Sequence, residues 1–464
     1  AFDARLPYQL TDGQRAVGEE VAEDLARPHP MHRLLQGEVG SGKTVVALRA
    51  MLQAVDAGAQ AALLAPTEVL AAQHARTIET MLGPLAHGGE LGGAETGTRV
   101  ALLTGSLPAS ARKRALLDAA SGAAGIVVGT HALIQDQVSF AQLGLVVVDE
   151  QHRFGVEQRD ALRSKADTPP HVLVMTATPI PRTVAMTVFG DLETSTLTEL
   201  PAGRQPITTR VVPLAEQPGW MERVWERARE EVAAGRQVYV VCPRIDADDA
   251  VAEGAEPEGW ATTAAVADLA PTLADGPLAG LRVEMLHGRL AADTKDEVMR
   301  KFAAGDIDVL VATTVIEVGV DVPNATAMIV LDADRFGISQ LHQLRGRVGR
   351  GGHEGLCLLV TGSPAGTSAR ERLDGVAATL DGFQLARLDL EQRREGDVLG
   401  QSQSGRRSQL KLLRLLRDED VIMTARADAV DLVADDPLLD RHVQLHAAVA
   451  ALAADQRADY LGKA

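Results

Sequence analysis

Gly37-Glu38-Val39-Gly40-Ser41-Gly42-Lys43-Thr44 is entered by the apolar run Arg33-Leu34-Leu35 and left through Val45-Val46-Ala47-Leu48-Arg49-Ala50-Met51-Leu52. The octapeptide fits the pattern G-x-x-x-x-G-K-[ST] without a gap, and its flanks read as a strand before and a helix after, the context such a loop requires. Each residue type has a task there. Gly37, Gly40 and Gly42 let backbone N–H groups curl around phosphate oxygens, and the start of the following helix adds partial positive charge. Lys43 reaches the β and γ oxygens, and the Thr44 hydroxyl faces a magnesium ion. The stretch predicts an α/β fold with ATP and Mg²⁺ as cofactors.

Outward from this loop, short runs of Val, Ile, Leu and Ala alternate with Ala-rich helical stretches in two series. The first comprises Arg33–Gln36, Ala61–Ala65, Arg99–Leu103, Ile126–Gly129, Leu145–Val148 and Val172–Met175; the second comprises Gln237–Val241, Arg282–Leu286, Val309–Ala312, Ala327–Leu331 and Leu356–Val360. Strands this uniformly apolar are covered on both faces, so two parallel sheets are expected. The Pro/Gly-punctuated stretch Leu200–Pro206 separates the series. Asp246 to Gly280 reads as a solvated excursion with some helix. Past Val360 the pattern turns to helix plus a Gly/Arg-rich loop. The predicted domains are residues 1–203, 204–365 and 366–464, the last small and mainly helical.

At 464 residues the chain is too long for one core. A net charge of −17 and an aromatic content of 3% exclude a general polyanion binder and a long base-stacking platform. Contact with nucleic acid would follow phosphates instead; Arg406, Arg407, Lys411, Arg414 and Arg417 form a local basic island that reads either as such a contact or as the solvated face of an amphipathic helix with Leu410, Leu413 and Leu416 on its other side. No run approaches the ~18 apolar residues of a membrane span. Cys242 and Cys357 both lie in apolar strand-like runs, which suggests neither disulfides nor a zinc site. A cytoplasmic protein without membrane contact is expected.

Two further constellations complete the chemistry. Leu145-Val146-Val147-Val148 delivers Asp149 and Glu150 to a strand end, where Asp149 can hold Mg²⁺ and Glu150 can polarise the attacking water. Gln343-Leu344-Arg345-Gly346-Arg347-Val348-Gly349-Arg350 ends the second series with arginines spaced to aim guanidinium forks at one target; Arg347 and Arg350 are the candidate arginine fingers. ATP is then expected between the two units.

The ordered series Thr11…Gln14, Gly37–Thr44, Ala65-Pro66-Thr67-Glu68, Gly129-Thr130-His131, Asp149–His152, Thr176-Ala177-Thr178, Ala312-Thr313-Thr314…Gly319-Val320-Asp321 and Gln343–Arg350 resembles the motifs of superfamily 2 helicases. Within that superfamily, Asp149–Val156, Met175–Thr183 and Ala312–Asn324 are similar to the RecG family of branch-migration translocases. The related Mfd translocases share Arg153–Val156 and Pro179–Thr183 in kind but typically carry Glu where Gln151 stands. The resemblance runs from Leu6 to about Arg417 and implies two RecA-like domains and a hydrolase acting in DNA repair and recombination. Its substrates would be stalled replication forks and Holliday junctions, its partners branched and duplex DNA and single-strand-binding protein.

Carried over onto this sequence, the resemblance implies that Gln14 reads the adenine edge, with Tyr8 and Leu10 packing on the base, and that Asp321, beside Gly319, approaches the ribose. Gln151, His152, Thr176 and Thr178 would link ATP to DNA. Thr67–Gln73, Thr104-Gly105, Gly129–His131 and Thr313-Thr314 would touch the DNA backbone. The stretch Asp389–Gly400 with Gln403-Ser404-Gly405 looks like the translocation motif that RecG and Mfd share, in which Arg372, Arg393 and Gln403 would transmit the ATP cycle. Arg394-Glu395 departs from the family's usual Gly-Pro. The family's N-terminal wedge has no counterpart here, so the expectation is either a piece of a longer protein or a natural short form. Three other readings stand beside this one: an Mfd-like transcription-repair translocase, a nucleotide-gated DNA-binding switch, and a P-loop enzyme that does not act on nucleic acid.

Overall fold

In the computed structural model, which describes residues 2–89, 93–94, 96–135, 138–149, 168–177, 193–199, 206–244, 265–317, 322–392 and 418–451, the loop at Gly37–Thr44 joins β1 (His32–Gly37) to α2 (Lys43–Asp56). Ahead of them, α1 (Asp12–Leu25) starts at a capping box: Gln14 N donates to Thr11 Oγ1 at 3.2 Å and Thr11 N to Gln14 Oε1 at 3.0 Å. The first sheet adds β2 (Gln60–Leu64), β3 (Arg99–Leu103), β4 (Ala124–Gly129), β5 (Leu143–Asp149), β6 (His171–Thr176) and β7 (Glu193–Leu197). Its order is β3-β4-β2-β5-β6-β1-β7, and every neighbouring pair is parallel.

The helices α3 (Glu68–Leu82) and α4 (Ala109–Ala120) serve as crossovers in this sheet. Arg33 enters the core from β1 only because its charge is met: it donates to Asp24 at 2.8 Å, Glu20 at 3.0 Å and Ser195 at 2.6 Å, tying α1, β1 and β7 together.

The second sheet has the order β10-β11-β9-β12-β13-β8, again all parallel. Its strands are β8 (Ile207–Pro213), β9 (Gln237–Val241), β10 (Val283–Leu286), β11 (Val309–Ala312), β12 (Ala325–Val330) and β13 (Gly355–Thr361). The helices around it are α5 (Trp220–Ala233), α6 (Val266–Asp275), α7 (Ala292–Ala304), α8 (Ile338–Arg345), α9 (Ser368–Ala378) and α10 (Gly382–Gln392). Alternation along β9 sends Tyr239 and Val241 into the layer with Phe302, Leu341 and Leu385, and Val238 and Val240 into the layer with Trp225 and Leu273.

Both predicted series are present, each with one strand more than the apolar pattern gave. β7 and β8 read Glu-Thr-Ser-Thr-Leu and Ile-Thr-Thr-Arg-Val-Val-Pro and are the outer strands of their sheets, where one edge faces away from the core and tolerates polar residues. The solvated reading of Asp246 to Gly280 is corrected over its described part. Val266, Ala270, Leu273 and Leu278 from α6 and its exit are core residues. Residues 245–264 lie outside the described residues.

Both sheets belong to one compact unit, Ala1–Pro181 with Gly190–Asp389; Arg182–Phe189 and Leu390–Ala464 form another. In the latter, α11 (Glu419–Asp435) ends at Asp436, whose carboxylate accepts from Asp440 N at 3.1 Å and Arg441 N at 2.9 Å.

Candidate nucleotide-binding site

Gly40 and Gly42 hold φ of 84° and 85°, left-handed conformations that bend the chain so that α2 begins directly after the loop. A Cβ on Gly42 would fall 2.2 Å from Gln14 Nε2, and one on Gly37 would fall 2.7 Å from Ser41 Oγ, so both positions also need the space. Lys43 Nζ donates back to the carbonyls of Gly37 at 2.7 Å and Glu38 at 3.0 Å, which holds the ammonium over the loop. Ser41 Oγ is buried with no hydrogen-bond partner among the described residues. Such a cradle of amides, an ammonium and an orphan hydroxyl fits polyphosphate.

Gln14 Nε2 donates to Ser41 O at 2.9 Å, so the residue expected to read adenine also braces the phosphate loop. One amide hydrogen and one carbonyl lone pair remain for a base edge. Tyr8 is half exposed and lines a cleft of about 470 Å³ with Leu6, Leu10, Arg15 and Arg49.

Asp149 stands at the C-terminal end of β5, opposite Met175 of β6, while Thr176 at the end of β6 pairs with Gln36 of β1. The phosphate loop, Thr176 and Asp149 therefore leave three consecutive strands on the same edge of the sheet, where parallel sheets bind ligands. Asp149 Oδ2 lies 2.8 Å from His74 Nε2, and both side chains are buried. His74 escaped the sequence reading because it lies seven residues past the helix cap Thr67 on an otherwise apolar face of α3; the strand-end motifs gave no signal for it.

From the second sheet, α8 and the turn Gly346–Arg350 face the phosphate loop. A Cβ on Gly346 would lie 3.3 Å from Val39 Cγ2, and Glu38 Oε2 is 3.6 Å from His342 Nε2. Gly349, at φ 69°, turns the chain there, and Arg350 Nε donates to Gly346 O at 2.9 Å. The expectation of three arginines on one target is corrected. Arg345 is fully buried and donates to Val376 O at 2.8 Å, Thr379 O at 2.7 Å and His342 Nδ1 at 2.8 Å, which makes it a structural tie between α8 and α9. Arg347 and Arg350 are half-buried on the turn itself.

Three family models match the chain in order: DEAD/DEAH box helicase over residues 11–187, Helicase conserved C-terminal domain over 225–352, and ATP-dependent DNA helicase RecG, domain 3, C-terminal, over 379–445. The ATP-dependent DNA helicase RecG of Mycobacterium tuberculosis (strain ATCC 25618 / H37Rv) is 62% identical over 425 residues, or 91% of this chain. Along the matched residues the chain is similar to the RecG helicases. It spans 57% of that relative's length. The RecG helicase of Bacillus subtilis (strain 168) is 45% identical over 94% of this chain and 60% of its own length. A solved structure of RecG bound to a three-way DNA junction matches with a TM-score of 0.71 at 39% identity, covering 91% of this chain and 51% of that one.

Among the segments that the RecG resemblance assigned to DNA, Thr67 caps α3, and Glu68 beside it accepts from Gly105 N at 2.8 Å and Ser106 N at 3.3 Å, so two of these segments are joined. Burial, and then the charge of Glu68, holds the Asp296 carboxyl of α7 above the ordinary carboxylate range, which puts the second sheet's α7 within electrostatic reach of that junction. Thr130 and Thr313 are buried at strand ends. Arg372 on α9 donates to Asp334 O just past β12. Glu150, Gln151, His152, Thr178, Gly319, Asp321, Arg393, Gln403 and the basic island Arg406–Arg417 lie outside the described residues.

Proposed function

We propose that this chain is the ATP-driven motor core of a protein that moves on duplex DNA and remodels branched DNA, stalled forks and Holliday junctions among them. The observation that supports this reading is the apposition of Gly346 with Val39 and of His342 with Glu38, which brings the phosphate loop against α8 and the turn to which Arg347 and Arg350 belong. The loop amides and Lys43 orient and neutralise the β and γ phosphates, Glu150 polarises the attacking water, and Arg347 and Arg350 meet charge developing on the transferred phosphoryl group. Gln14 and Tyr8 hold the base, and Gly319 and Asp321 the ribose side. Thr44 and Asp149 are oxygen donors of the kind magnesium takes, and the ion when bound neutralises phosphate charge.

Gln151, His152, Thr176 and Thr178 then link hydrolysis to the DNA-facing segments, and Arg372, Arg393 and Gln403 carry it into movement. The working parts are the ATP-binding lobe 1–203, the second lobe 204–365 and the transmission region 366–464. By family likeness single-strand-binding protein is a partner, and the cytoplasm is the site of action. Steady-state ATPase with no DNA, single strands, duplex and a four-way junction tests the reading, with the fastest turnover expected on the junction. Equal rates in all four would remove DNA from it. Triplex displacement that requires hydrolysis separates a motor from a nucleotide-gated clamp.

A further inference from the structure

Glu38 is the second residue of the phosphate loop, and its carboxylate leaves the first lobe. Oε1 accepts from Gly382 N at 2.7 Å, and Oε2 lies 3.6 Å from His342 Nε2. Both acceptor atoms thus face segments that follow the second sheet's strands or connect them. The site is mostly closed to water, with the His342 side chain 7% and the Glu38 side chain 18% exposed.

The partners are locally built for this contact. Asp381 caps α10: its Oδ1 accepts from Phe383 N at 2.8 Å and Gln384 N at 3.2 Å, and its carbonyl accepts from Leu385 N at 3.1 Å. Gly382 is the first residue of the helix, so its N–H has no intrahelical acceptor, and the Glu38 carboxylate supplies one at the positive end of the helix. On the other side, Arg345 can only donate, so His342 Nδ1 accepts from it and the ring proton sits on Nε2, toward Glu38. Arg345 then grips the carbonyls of Val376 and Thr379, which end α9 just before Gly382.

We infer that Glu38 is a positioning residue that ties the phosphate loop directly to the start of α10, the helix that leads in sequence to Arg393 and Gln403. Lys43 fixes the Glu38 peptide through its carbonyl, so any rearrangement of Lys43 on nucleotide binding shifts the residue whose side chain holds Gly382. The state of the ATP site is passed to α10 without an intervening DNA-facing motif. The inference rests on the nucleotide reading above and needs nothing of the DNA reading.

Amide hydrogen exchange read by mass spectrometry over Thr379–Leu385 tests it, with and without AMP-PNP and Mg²⁺. The parental chain should show protection in this peptide that changes at least threefold with the nucleotide. Glu38→Ala should exchange at least tenfold faster there and lose the nucleotide response, and Glu38→Gln, which keeps an acceptor oxygen, should recover part of it. Gly382→Pro leaves the phosphate-loop sequence intact and removes the N–H while adding a ring, which suits the first helical position and Asp381 before it. Its neighbours Phe383 and Gln384 should stop responding to nucleotide, whereas Gly382→Ala, which keeps the N–H, should respond as the parental chain does. A parental peptide indifferent to nucleotide, or an undiminished response in both Glu38→Ala and Gly382→Pro, overturns the inference. Absence of any DNA-stimulated ATPase would overturn the proposed function and leave this result standing.

Discussion

Lys43 carries two duties. It pins the loop through the Gly37 and Glu38 carbonyls, and in the proposed function its ammonium also neutralises the phosphates. Lys43→Ala should therefore abolish turnover and also weaken nucleotide binding, which phosphate release and a fluorescent ATP analogue would show; turnover within tenfold of the parental rate would remove Lys43 from the chemistry. His74 is the less visible partner. Its hydrogen bond takes up Asp149 Oδ2 and fixes the carboxylate, so Oδ1 is the oxygen that His74 does not occupy. Carboxylates that hold a metal depend on such partners, whose loss typically costs tenfold or more in metal affinity. His74→Ala should raise the Mg²⁺ concentration for half-maximal ATPase by about tenfold, and His74→Gln, with an amide N–H to offer, should recover part of that. An unchanged Mg²⁺ requirement in His74→Ala would reduce the pair to core packing.

At the level of elements, the arginines of the α8 turn divide by direction. Arg345 points into the protein and satisfies two buried carbonyls at the end of α9, so Arg345→Ala should lower stability by about 3 kcal/mol, seen as an earlier melt. Arg347→Ala and Arg350→Ala should melt normally and bind ATP, yet hydrolyse it about a thousandfold more slowly, as expected of residues acting on transition-state charge. Parental turnover in both would refute that role. Spacing alone could not sort these arginines, because a two-residue step at a helix end reverses direction. The same logic governs the sheets. Inner strands such as Val309–Ala312 were legible because burial on both faces demands apolar residues, whereas β7 and β8 sit at edges where the pattern relaxes, and the cross-lobe ties of Glu38 and His342 leave no local sequence trace. Cys242 and Cys357, next to and within inner strands, have thiol pKa values pushed up to about 12 by burial, against an ordinary value of 9.0. The folded thiols keep their protons where unfolded ones lose them, so the second sheet's stability falls as pH rises from 9.0 toward 12. At pH 8 both thiols should resist alkylation until the sheet unfolds; rapid labelling of native protein would contradict their burial.

For the whole molecule the proposed function turns on how closure of one cleft would become movement along DNA. In the proposed function the ATP site draws on both sheets, and because each sheet is a stiff parallel layer, a change at the γ-phosphate would shift one lobe against the other without remodelling either core. The transmission region must convert that shift. Arg393 and Gln403 follow α10 in sequence and offer a guanidinium and an amide with no carboxylate for Mg²⁺, which gives them no part in the chemistry. Arg393→Ala and Gln403→Ala should leave DNA-stimulated ATP hydrolysis largely intact while triplex displacement and branch migration fall sharply. Duplex affinity should hardly change for Gln403→Ala. Arg393→Ala should lose at most one phosphate contact, and with it about one unit of the salt dependence. Equal losses of hydrolysis and movement would move both residues into the catalytic unit. Undiminished movement in both would leave the α10 contact with Glu38 as the path by which hydrolysis reaches DNA.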